Sequence, residues 1–115
     1  METKNIITKI HEAKNEIEVV AKNATNPHFK NTYADINALI AAVEPILLDK
    51  GLLLLQPIRD GKQYTIIYDT ESGESVESCL ALNSAMKPQD QGSAITYFRR
   101  YTLQGLLCLM SDDDD

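Results

Sequence analysis

Residues 51–82 read GLLLLQPIRDGKQYTIIYDTESGESVESCLAL, and they decide the fold, because here apolar residues stop recurring at helical spacing and begin to alternate. LLLLQPI is a short apolar run. Tyr64, Ile66 and Tyr68 alternate with Thr65 and Ile67; further on, Val76, Ser78, Leu80 and Leu82 alternate with Glu77, Cys79 and Ala81. A period of two is that of a strand, so the segment predicts three strands. Asp60-Gly61 suits a tight hairpin turn with positive backbone angles, and residues 70–74 with Gly73 suit a looser one. The strands should therefore form an antiparallel meander. Pro57 cannot donate to a sheet ladder, so the first strand should end, bulge or lie at an edge there.

Upstream, Ile6, Ile10, Ala13, Ile17, Val20 and Ala24 recur at steps of four and three, one apolar stripe on an amphipathic helix with lysines and glutamates opposite. A linker, NPHFKNTYAD, follows. Asp35 then offers its carboxylate as the N-cap of a second helix, whose buried face is Ile36, Leu39, Ile40, Val43, Ile46 and Leu47. Gly51 is placed to end it in a left-handed cap. Pro45 removes the bond back to Ala41, so a kink or a break into two short helices is expected. Downstream, a loop through Met86, Lys87 and Pro88 leads to a last helix from about Asp90 to Met110. The fold class is α+β: two N-terminal helices, a three-stranded meander, and a C-terminal helix that covers the sheet.

The chain has 115 residues and a mass of 12.8 kDa, which suits one domain, here residues 1–111 with an acidic tail at 112–115. No apolar run is long enough to cross a bilayer, and the N-terminus lacks the apolar segment of a signal peptide, so the cytoplasm is expected. Cys79 and Cys108 read as reduced core residues rather than a disulfide pair or zinc site. The formal net charge of -6 argues against nucleic acid until its distribution is considered. Four acids sit at the extreme C-terminus. Residues 84–111 carry Lys87, Arg99 and Arg100 against Asp90 alone, whereas residues 51–83 are dominated by acids.

The basic stretch is GSAITYFRRY, residues 92–101. At about 100° per residue, Ile95, Phe98, Thr102, Leu106 and Leu109 fall on one face and should pack on the sheet. Ser93, Tyr97, Arg100 and Gln104 fall on the other, facing outward. Arg99 projects between, nearer the apolar side. Guanidinium groups beside tyrosines suit single-stranded nucleic acid, because cations track phosphates while rings accept bases of any identity by stacking. The linker adds Phe29, Lys30 and Tyr33, a second basic residue between aromatics.

Three ordered segments, NPHFKNTYADI, VEPILLDKGLLLLQ and GSAITYFRRYTLQGLLCLMSDDDD, resemble the ERF (essential recombination function) family of phage single-strand annealing proteins. The most specific match is Gly92, Thr96, Tyr97, Arg99, Arg100 and Tyr101 followed by the acidic run. The resemblance implies single-stranded DNA binding, ATP-independent pairing of complementary strands and a role in phage recombination in the host bacterial cytoplasm. It also implies a core of three strands and a helix, in a homo-oligomer that forms a ring or helical assembly with DNA in a basic groove. Lys30, Tyr33, Lys87, Ser93, Tyr97, Arg99, Arg100 and Gln104 are the expected DNA-binding residues. Such proteins usually continue beyond the acidic run, so the chain is expected to be a truncated core.

Other readings are weaker. His11 and His28 have no metal-ligand partner at helical or loop spacing and read as surface residues. The run at 112–115 reads as a solvated tail, although it could gather a divalent ion or compete with DNA for a basic groove. No residues stand in a recognisable catalytic arrangement, so no enzyme, cofactor or metal is assigned. The competing classes are a protein-interaction module whose basic helix contacts an acidic partner, and a metal-dependent nuclease using the acidic run.

Overall fold

A computed structural model of the chain describes residues 4–22 and 36–109. Helix α1 (Ile6–Lys22) begins where the Asn5 side chain accepts the Thr8 amide at 2.9 Å, satisfying one of the amides that a helix start leaves unpaired. Its apolar stripe buries Ile6, Ala13 and Ile17. Helix α2 (Ile36–Asp49) buries Ile36, Leu39, Val43 and Leu47. The expected break at Pro45 does not occur: α2 runs as one helix, with Pro45 and Ala41 both on its solvent side, where water can serve the freed carbonyl. Gly51 then takes a φ of 78°, the left-handed cap expected of it.

The sheet is the antiparallel meander, with its first strand cut in two. Strand β1 (Leu52–Leu55) and strand β2 (Ile58–Arg59) lie end to end along one flank of β3 (Lys62–Asp69), and β4 (Ser75–Ala81) lies along the other. The cut falls at Gln56-Pro57, as the proline required. The Tyr64 amide still reaches the Pro57 carbonyl at 3.0 Å, and the buried Gln63 amide donates to the Gln56 carbonyl at 3.1 Å, so the interruption stays paired to β3. Asp60 and Gly61 both have positive φ in the first hairpin, and Gly73 does in the second.

Helix α3 (Pro88–Leu107) covers β3 and β4; α2 covers β1 and touches α3; α1 packs on α2. Leu52, Leu54, Ile67, Leu103 and Leu107 join the helical residues in one core beneath this layer. The opposite face of the sheet is different. It carries Leu53, Leu55, Tyr64, Tyr68 and Cys79 around a buried Ile66, and no described helix covers it.

One further expectation fails, and one boundary shifts. Cys79 and Cys108 are free, but both are exposed rather than in the core. The last helix starts at Pro88, whose missing amide costs nothing at a first helical position, and it stops before Met110. Cys108 adopts the left-handed conformation there, at φ 54°, and the Leu109 amide folds back to the Gln104 carbonyl at 2.9 Å. No described helix is long and apolar enough to cross a membrane.

Candidate nucleic-acid interface

Helix α3 is wedged between the sheet and α2, so it buries a wider arc than a helix lying on a sheet alone. Its fully buried residues are Arg100, Thr102, Leu103 and Leu107. This corrects the expected outward line of Ser93, Tyr97, Arg100 and Gln104: Arg100 is only 3% exposed. Leu103 and Leu107, missing from the expected packed face, follow it at steps of three and four and pull the buried arc toward it. Ser93 and Tyr97 do face solvent, Gln104 is half-buried at the border, and Lys87 is exposed just before the helix. Lys30 and Tyr33 lie outside the described residues, as do Asp35, His28, Phe29 and the acidic run.

The solvent ridge of α3 gains a residue that the helical placement left out. Tyr101 is 48% exposed and stacks on Tyr97, with ring centroids 6.1 Å apart and planes inclined by 27°. Beneath them the Arg100 guanidinium lies 5.9 Å from the Tyr101 ring, within the reach of a cation–π contact. The spacing of four between two tyrosines was the signal for this pair. Arg100 thus lies behind the ridge, against the Tyr101 ring, rather than on it.

Arg99 points the other way, to the side of α3 that faces β1 and α2. It is half-buried, and its Nε donates to Oε1 of Gln56 at 2.9 Å. The same Gln56 amide donates from Nε2 to the Arg99 carbonyl and to Thr65 Oγ1, each at 2.9 Å. Thr65 meets Thr102 at 2.6 Å, and the Thr102 hydroxyl donates to the Phe98 carbonyl at 2.6 Å. Ser78 adds a bond to the Thr102 carbonyl at 2.7 Å. This chain of polar groups fixes how far α3 can slide or roll on the sheet. Every member has a partner, as a buried network requires.

An open cleft of about 280 Å³ lies beside Arg99, lined also by Ile40, Glu44, Leu54, Leu55 and Gln56. Gln56 was not singled out from the sequence, yet it is in phase with the inward Leu52 and Leu54. A lone amide on a core-facing phase needs a buried partner, and that was the available signal.

A second buried cation sits far from α3. Lys9 of α1 is 5% exposed and donates to Asp69 Oδ1 at 2.8 Å and to Glu71 Oε1. The hydrogen bonds that Lys9 donates to Asp69 and Glu71 raise its pKa above the ordinary 10.5. The Lys9 bond and the Glu71 amide hold Asp69 below its ordinary 3.8. Lys9 and Asp69 are therefore both charged at neutral pH.

No curated protein and no solved structure matches the chain. The model of the ERF superfamily, however, matches residues 6–115, nearly the whole length. The chain belongs to the ERF superfamily, and that membership supports a phage recombination or annealing role in general.

Proposed function

We propose that the protein binds single-stranded DNA and anneals complementary strands without ATP, as a homo-oligomer in a ring or helical assembly within the host bacterial cytoplasm. The observation that carries the reading is the exposed Tyr97–Tyr101 stack with the Arg100 guanidinium close beneath it. Bases extend the tyrosine ladder without regard to identity, and the cation below makes the rings a better platform beside phosphates. Arg99 in its cleft supplies a second contact, and Lys87 a third at the helix start. No catalytic group is needed. Base pairing between the strands gives specificity and driving force, while repetition of a modest site around an assembly multiplies avidity and accommodates so few cations per chain.

The test is annealing of complementary oligonucleotides without nucleotide, with a salt titration of single-strand affinity and a mass measurement of the assembly. Salt-sensitive binding and accelerated annealing are expected. Binding that does not weaken with salt, or no annealing at any protein concentration, would refute the proposal. One observation favours a second reading, a protein-interaction module that docks through the open sheet face rather than through the basic helix: Leu53 and Leu55 stand exposed there. Under that reading, mutating them abolishes a protein contact while single-stranded DNA has no effect on the protein.

A further inference from the structure

Gln56 owes its position to Pro57. The proline ends β1, so Gln56 leaves the ladder with β3, but it keeps the inward phase of Leu52 and Leu54 and reaches α3. There one amide holds one residue at two points: Oε1 accepts from Arg99 Nε, and Nε2 donates to the Arg99 carbonyl. Its remaining proton goes to Thr65, which fixes which end of the amide faces the arginine. With Nε occupied, the terminal Nη groups of Arg99 make no hydrogen bond to a described residue, and the side chain lines the open cleft.

We infer that Gln56 is a positioning residue for nucleic-acid binding: it aims the Arg99 guanidinium into the cleft, where the guanidinium takes a backbone phosphate of the bound strand. The inference rests on the single-strand reading above. A guanidinium presents a planar fork to phosphate, and a fork held at Nε has less rotamer freedom to lose on binding. The neutrality of the holder matters equally. A carboxylate at this position would hold Nε as well but would cancel the charge that a phosphate needs. Glu44, the acid among the residues that line the cleft, forms no ion pair with Arg99.

The experiment measures affinity of the full chain for an unstructured oligonucleotide across a salt series, for Gln56→Met, Arg99→Met and the double variant, with an unfolding midpoint for each. Each single variant should bind roughly five- to tenfold more weakly at low salt, with the slope of log K against log salt shallower by roughly 0.7, the loss of one phosphate on a single strand. In the Arg99→Met background, Gln56→Met should do nothing more. Ser78→Ala separates stability from aim: it removes the bond to the Thr102 carbonyl without touching Gln56 or Arg99 and should lower the midpoint without moving the slope. Additive losses, or a folded Gln56→Met that binds like the parent while Arg99→Met does not, would overturn the positioning role and leave the single-strand reading intact. Parent-like binding by Arg99→Met would overturn the phosphate contact itself, with the tyrosine ridge still open to test. A slope that shifts equally in Ser78→Ala would reduce Gln56 to a structural residue.

Discussion

Lys9 and Arg99 are both cations drawn in from the surface, and they are held in opposite ways. Lys9 is clamped by two carboxylates at the α1 corner of the sheet. Arg99 is held by a neutral amide at the edge of a cleft. The first arrangement spends its charge inside the protein; the second leaves its charge to act on something outside. Counting basic residues along the chain treats the two alike, and only the identity of the holder separates a structural cation from one available to an anion.

Four predictions probe that contrast. The largest effect is expected from Asp69→Ala, which strips Lys9 of its buried partner: the unfolding midpoint should fall more than for any variant at the cleft, and the salt slope of DNA binding should not change. A changed slope with an unchanged midpoint would erase the distinction between the two cations. Next, Tyr101→Ala should weaken single-strand affinity by about 1–3 kcal/mol per base it stacks, with the salt slope intact, because a ring carries no charge. A shallower slope would mean that Tyr101 acts mainly by holding Arg100.

Gln56→Glu converts the cleft into a copy of the Lys9 corner. Affinity at low salt should fall by roughly tenfold, about 1.4 kcal/mol, and the unfolding midpoint should fall as well, because a carboxylate keeps the Arg99 Nε bond but cannot donate to the Arg99 carbonyl or to Thr65. Parent-like affinity would show that the charge of the holder does not matter. The smallest effect concerns pH. Asp69 titrates below 3.8 in the folded chain, so its contribution is complete above that value and is lost as pH falls through the lowered one. The raised Lys9 gives stability below 10.5 that is lost as pH rises through its folded value. Unfolding midpoints across neutral pH should be flat on account of this pair, and Asp69→Asn should remove its acid limb.

The contrast also explains what was legible in the sequence. Strand and helix positions follow from local period and turn residues, so Gly51, Asp60-Gly61, Gly73 and Pro57 all act where their backbone chemistry places them. Membership of a fold class follows from their order. The cleft and the corner do not, because each depends on which residue of one element meets which residue of another. Lys9 lies beside the apolar stripe of α1 and becomes buried only because Asp69 ends β3 beneath it. Arg100 reads as outward on a wheel drawn for a helix with one neighbour, and α3 has two. Tyr101 and Gln56 left local signals, a spacing of four and a polar residue in an inward phase, that gain meaning only beside Arg100 and Arg99.

The exposure of the two cysteines has a practical side. Cys79 stands opposite Tyr64 on the uncovered sheet face, and Cys108 closes α3 in the helical layer. The native chain thus carries one addressable thiol on each side of its sheet, and blocking either with Cys→Ser leaves the other for a dye. Fluorescence from the two singly labelled proteins, followed while subunits assemble and while an oligonucleotide is added, would report separately which side meets another subunit and which meets the strand.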